Sequence, residues 1–103
     1  MTLEDKLKKI KSAKDDIDTL NELLNNFDLQ KANSTVLKLT LNTDYAEAIM
    51  LNRKKHNLPF GNKSFGSLNY IEKRKVLTML LDAVTDTLHA IELTPTNDKE
   101  EKQ

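Results

Sequence analysis

The chain contains no cysteine and only two glycines and two prolines among its 103 residues. The lack of cysteine excludes disulfides, thiolate metal sites and cysteine nucleophiles. With 38% apolar and 31% charged residues, the composition indicates a helical globular protein rather than a disordered chain. The sequence also has no unbroken apolar run of the length that a signal peptide or a membrane span requires. We therefore expect a cytoplasmic protein that does not associate with membranes.

Amphipathic helical patterns occupy both ends of the chain. Apolar residues recur at three- and four-residue spacing over about residues 3–28 and again over about 69–93, which is typical of one buried helix face. Thr2 and Asn69 stand where N-terminal caps belong, and each is followed three residues later by an acidic residue. Pro95 ends the second pattern. We predict two long helices of similar length that lie side by side.

The middle of the chain is less regular. A shorter helix is predicted at about residues 44–57, which ends before Pro59. Residues 35–42 are ambiguous, because Leu37, Leu39 and Leu41 alternate as in a strand, whereas Leu37 and Leu41 also have helical spacing. A single strand would have no partner in this chain. We therefore favour a helix or an extended arm for this segment, and a short strand that pairs with another subunit remains the alternative.

These elements predict an all-α bundle with one helical domain at residues 1–95 and a polar tail at 96–103. The apolar stripes of the two long helices are wider than a single partner helix would cover. The heptad pattern of the second helix favours a bundle of more than two helices. We therefore expect a homo-oligomer. The residues assigned to its interface are Leu20, Leu23, Leu80, Leu81 and Leu88.

Positive charge is concentrated between the long helices. Residues 53–75 contain seven lysines and arginines against one acid, a net charge of +6, whereas residues 76–103 have a net charge of −4. The basic segment could bind nucleic acid, another phosphate-bearing ligand or a partner, or it could pair with acidic ends of the bundle. The candidate binding residues are Arg53, Lys54, Lys55, His56, Lys63, Lys73, Arg74 and Lys75.

The only glycines lie in a loop inside this basic segment, Gly61 after Phe60 and Gly66 after Phe65. The loop lacks the spacing and the preceding strand of a nucleotide-binding P-loop. We expect the glycines to form turns and the phenylalanines to cover the end of the bundle. An exposed Phe60 or Phe65 would instead make the loop a candidate binding surface.

Residues with catalytic or metal-binding chemistry are few. Asp82, Asp86 and His89 have the spacing of one half of a di-iron carboxylate site, but the sequence has no second copy. With only two histidines, no nucleophilic triad can be assigned. We therefore expect no metal, no cofactor and no enzymatic activity.

Size, composition and heptad patterning resemble those of small helical proteins of phages and mobile elements. This resemblance implies a small regulatory protein that acts by binding. We expect a non-enzymatic interaction protein that binds a protein partner and self-associates. The alternative is a nucleic-acid or nucleotide-anion binding protein that uses residues 53–75.

Overall fold

The computed structural model of the protein describes residues 1–58 and 64–96. Within these ranges the chain forms four α-helices and no strand: α1 (Leu3–Asn25), α2 (Leu29–Leu41), α3 (Ala46–Lys55) and α4 (Tyr70–Leu93). Single 3₁₀ turns at Thr43–Tyr45 and Phe65–Ser67 precede α3 and α4. The prediction of an all-α bundle is confirmed. Phe60, Lys63 and residues 97–103 of the predicted tail lie outside the described residues.

The long helices begin at the capping residues that the sequence indicates. The Thr2 hydroxyl accepts a hydrogen bond from the backbone amide of Asp5 at 3.1 Å. Asn69 and Glu72 form a reciprocal capping box, in which each side chain accepts the backbone amide of the other at 2.8 and 2.9 Å. These bonds satisfy amides that have no partner within the helix. At the other end, α4 stops two residues before Pro95, as predicted.

The first helix is shorter than predicted, and a second helix follows it closely. Asn26 leaves the helical conformation, and the carboxylate of Asp28 accepts the amide of Lys31 at 3.0 Å to start α2. Short polar side chains such as these favour helix ends because they bond to local backbone groups. The apolar pattern continues across this break, which is why periodicity alone extended α1 to residue 28.

The ambiguous segment at 35–42 lies almost entirely in α2, so of the alternatives left open the helix is confirmed, and the strand and the extended arm are excluded. The buried residues of α2 are Ala32, Thr35, Val36 and Leu39, which have helical spacing. Of the three alternating leucines, only Leu39 is buried. A helix satisfies its own backbone groups, whereas an isolated strand would leave them without partners.

Helix α3 is entered and ended by local hydrogen bonds. The side chain of Asn42 accepts the amide of Asp44 at 2.9 Å and caps the 3₁₀ turn Thr43–Tyr45. Helix α3 follows at Ala46, two residues after the expected start at residue 44. At the other end, Asn57 adopts a left-handed conformation with a φ of 49°. The amides of Asn57 and Leu58 bond back to the carbonyls of Lys54 and Arg53 at 3.1 and 3.3 Å. This is a Schellman motif, which ends the helix before Pro59 is reached.

Helices α1 and α4 run antiparallel along the length of the bundle. At one end, the Lys6 amine donates to the carbonyls of Glu92 and Thr94, each at 2.9 Å. At the other end, Arg74 Nη1 donates to the carbonyl of Leu24 at 2.7 Å. Side chains of α2, the first 3₁₀ turn and α3 complete the core. The prediction that the two long helices lie side by side is therefore confirmed.

The residues assigned to a subunit interface are mostly core residues of the single chain. Leu20, Leu23 and Leu80 have no exposed surface, Leu88 is buried, and Leu81 is partly buried against the core. Helices α2 and α3 cover the part of the wide apolar stripes that was expected to need a second copy. Self-association stays a prediction, but a second subunit docking on this fold would have to contact other residues.

A buried polar group links three elements of the bundle. The hydroxyl of buried Tyr45 donates to the carboxylate of buried Asp16 at 2.5 Å. The Lys38 amine of α2 lies 3.5 Å from the other oxygen of the same carboxylate. Burial and the hydrogen bond to Asp16 raise the pKa of Tyr45 above its ordinary value. The phenol therefore stays protonated and acts as a donor that fixes the start of α3 against α1.

Candidate functional site

The two ends of the basic segment meet between the end of α3 and the first turns of α4. A cavity of about 460 Å³ lies there. It is lined by His56, Asn57, Leu58, Ile71, Arg74, Lys75 and Thr78. His56 Nε2 is 2.7 Å from a carboxylate oxygen of Asp82 on α4, so an acidic group already contacts this part of the basic segment.

Two of the cations near this cavity have structural contacts. Besides donating to the carbonyl of Leu24, Arg74 lies over the ring of Tyr70 at 5.8 Å. Lys73 lies 6.0 Å from the ring centre of Phe65. Arg74 therefore neutralises the negative end of α1, as a cation at a helix C-terminus does. Phe65 is partly buried against the core, which agrees with its expected covering role.

The remaining basic residues of α3 divide between different surfaces. Arg53 and Lys54 line a second cavity, of about 420 Å³, on the side of α3 that faces α2. Lys55 is exposed in the last turn of α3. The structure thus separates a segment that is continuous in sequence into a cavity at α4 and a cavity at α2.

The cavity on the α2 side has exposed apolar residues in its wall and beside it. Leu37, Leu41 and Met50 are 60%, 72% and 54% exposed. Leu37 lies one turn before Thr40 in α2, and Leu41 follows Thr40 directly in sequence. We name this cavity the α2–α3 groove. It is lined by Thr40 of α2 with Ala46, Ile49, Met50, Arg53 and Lys54 of α3, and the exposed Leu37 and Leu41 lie within one turn of Thr40 in α2.

The groove exists because α2 and α3 each carry apolar residues on two sides. In α2, Val36 and Leu39 point into the core, whereas Leu37 and Leu41 form a separate pair four residues apart. In α3, Ile49 is buried and forms the floor of the groove, and the adjacent Met50 is exposed. An amphipathic surface helix normally has one apolar stripe, so a second stripe needs an explanation.

Charge in the groove has a single sign. Arg53 and Lys54 are the charged residues among the described groove residues, and both lie toward the end of α3. The acidic residues nearest in sequence, Asp44 and Glu47, line a cavity on the side of α3 that faces α4. The groove therefore passes from an apolar part at the start of α3 to a basic part at its end.

Both helices that form the groove are anchored on their opposite sides. Asn52 of α3 is 2% exposed, and its Nδ2 donates to Asp86 on α4 at 2.9 Å and to the carbonyl of Ala48 at 2.8 Å. Helix α2 is held to α1 by ion pairs from Lys31 to Glu22 at 3.2 Å and from Lys38 to Asp16 at 3.5 Å. These contacts hold the walls of the groove in place without occupying it.

Among the described residues, no group of three or more histidine and acidic side chains is arranged to bind a metal ion. Asp82 and Asp86, which were considered as ligands in the sequence, contact His56 and Asn52 instead. These contacts join α3 to α4.

Sequence reasoning placed the binding residues in 53–75 and did not include Leu37, Leu41 or Met50. One signal was present, because Leu37 and Leu41 repeat at four residues outside the stripe that contains Val36. It became interpretable only once α2 was known to be a helix.

Comparisons with protein-family models, with curated proteins and with solved structures found no match to this chain. Within residues 1–58 and 64–96, no helix combines the length and apolar character that crossing a membrane requires.

Proposed function

We propose that this chain is a non-enzymatic interaction protein that binds another protein through the α2–α3 groove. The observation that carries the proposal is the grouping of exposed Leu37, Leu41 and Met50 beside a groove. Covering apolar surface contributes about 25 cal/mol for each Å² removed from water. Single exposed apolar residues are ordinary on protein surfaces, whereas a group of them beside a groove is typical of an interaction site.

Site-specific photo-cross-linking in the cells that make the protein tests this proposal. Leu41→p-benzoylphenylalanine places the reactive group on an exposed residue next in sequence to Thr40, which lines the groove, and Leu93→p-benzoylphenylalanine places it on an exposed residue at the end of α4. We expect one discrete cross-linked protein from position 41 and none from position 93. Equal cross-linking from both positions, or none from position 41, would contradict the proposal.

Anion binding is the second candidate function, and the cavity between α3 and α4 favours it. Arg74, Lys75 and His56 line this cavity together. We rank it second because Arg74 already donates to a backbone carbonyl and His56 contacts Asp82. A ligand would have to compete with both contacts.

The salt dependence of oligonucleotide binding tests the second candidate. If the cavity binds phosphate, affinity for a single-stranded oligonucleotide should fall steeply as salt rises. Lys75→Glu should reduce the slope of log affinity against log salt concentration by about 1, because one phosphate contact is lost. Lys14→Glu on α1 makes the same charge change away from the cavity and should change this slope less. A slope that Lys75→Glu leaves unchanged would exclude this cavity.

A further inference from the structure

We infer that the occupant of the α2–α3 groove is an amphipathic helix of another protein, with apolar residues against Leu37 and Met50 and acidic residues beside Arg53 and Lys54. This inference rests on the proposed function and adds the chemistry of the partner. Four features of the groove support it: its length, its change of polarity along α3, the sign of its charge and the anchoring of its walls.

The length and walls of the groove suit a helix. Helix α3 has ten residues and is therefore about 15 Å long, which corresponds to about three turns of a docked helix. Two helices form the walls, and buried Ile49 forms the floor. An apolar face with residues repeating at three and four positions fits such a surface, as in other helix-in-groove complexes.

The polarity of the groove changes in a regular way along α3. Ala46, Met50 and Lys54 follow one another at four-residue spacing, and Ile49 and Arg53 form a parallel row. Both rows begin with apolar residues and end with a cation. A partner that covers both parts needs an apolar stripe with acidic residues beside one end of it.

The charge of the groove argues against a second copy as its occupant. The groove is lined by two cations, Arg53 and Lys54, and by no acidic residue among its described lining residues. If two copies paired symmetrically through this groove, the cations of one copy would face apolar side chains and cations of the other. The groove lining would provide no carboxylate to neutralise them. An acidic helix pairs with both cations and also covers the leucines.

The anchored walls reduce the cost of binding. Asn52 holds α3 to Asp86, and Lys31 holds α2 to Glu22, on the sides away from the groove. A surface that is already ordered loses less conformational freedom when a partner binds. The partner can thus bind without rearrangement of the bundle core.

Two synthetic peptides of about 18 residues, or about five helical turns, test the inference. They share the same leucine stripe at three- and four-residue spacing, and they differ only in having glutamates or lysines beside that stripe. Fluorescence anisotropy with the full chain measures their affinities. We expect the glutamate peptide to bind more tightly than the lysine peptide. Met50→Lys should lower the affinity for the glutamate peptide about tenfold, because an apolar contact is lost.

The chain offers a matched control for each substitution. Leu51 is 56% exposed, close to the value for Met50, but it lines the cavity on the α4 side of α3. Leu51→Lys should therefore change affinity for the glutamate peptide less than about twofold. Lys54→Glu should lower the affinity for the glutamate peptide about threefold and raise the affinity for the lysine peptide. Lys55→Glu makes the same charge change on another side of the helix and should change neither affinity.

Several results would overturn the inference. Equal affinity for the two peptides, equal effects of Lys54→Glu and Lys55→Glu, or no saturable binding of the glutamate peptide below about 1 mM would each contradict it. Sedimentation that shows a dimer broken by Met50→Lys would identify a second copy as the occupant. If cross-linking from position 41 still captures one discrete partner, only the chemistry of the occupant is wrong. If it captures none, the proposed function fails as well.

Discussion

The inward sides of α2 and α3 and their groove-facing sides are built from different chemistry. Inward, apolar side chains such as Leu39 are fully covered, and the Nδ2 of buried Asn52 donates to Asp86. On the groove side, Leu37 and Met50 are exposed although they are as apolar as the core. Folding accounts for the inward side of each helix, and binding is what we propose for the other side.

The largest expected effect compares two leucines of α2. Leu39→Ala should destabilise the protein by about 3 kcal/mol, because it leaves a cavity in a fully buried site. Leu37→Ala removes the same atoms from an exposed site and should change stability by no more than about 0.5 kcal/mol. Urea denaturation measures both. Similar losses for the two variants would mean that the groove side is part of the folding core.

The next comparison concerns asparagines. Asn52→Ala should destabilise the protein by about 2 kcal/mol, because it removes a buried side chain and the donor of the partly buried hydrogen bond that joins α3 to Asp86. Asn33→Ala changes an exposed asparagine of α2 and should stay within about 0.5 kcal/mol. Thermal unfolding followed by circular dichroism gives both values. If Asn52→Ala proves neutral, the polar contacts do not anchor α3.

The buried tyrosine predicts a dependence of stability on pH. Because the pKa of Tyr45 is raised in the fold, the folded state keeps a proton that the unfolded state loses above about pH 10. Stability from this group is therefore complete below about pH 10 and decreases as the pH rises further. Tyr45→Phe should cost about 1.5 kcal/mol at neutral pH, because Asp16 loses a donor, and should flatten the decrease.

Urea midpoints at about pH 8 and about pH 11 measure this dependence. Tyr70→Phe serves as the control, since the ring of Tyr70 is about half exposed. The alkaline decrease should persist in Tyr70→Phe. Its persistence in Tyr45→Phe would show that another group causes it.

The smallest expected effect is at the end of α3, which also sets the basic end of the groove. Asn57 has a φ of 49°, a conformation that glycine adopts without steric cost. Asn57→Gly should stabilise the protein by about 0.5 kcal/mol, and Asn57→Ala should destabilise it by about 1 kcal/mol. Equilibrium unfolding compares the two. Changes of the same sign would contradict the role of Asn57 in ending the helix.

The features that could be predicted from sequence depend on neighbouring residues. The caps at Thr2 and Asn69 and the end of α4 before Pro95 involve groups within a few positions of one another. The break between α1 and α2 is also local, but its signal in Asn26 and Asp28 was weaker than the apolar periodicity that crosses it. Competition between two local signals therefore limited the prediction there.

The candidate site was predicted only in part. The basic residues of segment 53–75 were identified from charge alone, yet their division between two cavities depends on how α3 is placed between α2 and α4. Leu37 and Met50 resemble core residues in sequence, and only the packed bundle shows that they remain exposed.

By itself, the sequence determined that this chain is helical, where its long helices begin and where the cationic residues lie, because caps, periodicity and charge are properties of short segments. The tertiary structure decided which of several equally apolar leucines are covered. It placed Leu20, Leu23 and Leu80 in the core and left Leu37, Leu41 and Met50 outside. Burial depends on which helices pack against one another, and this packing is determined by contacts between residues distant in the chain, such as those of Tyr45 with Asp16 and Asn52 with Asp86.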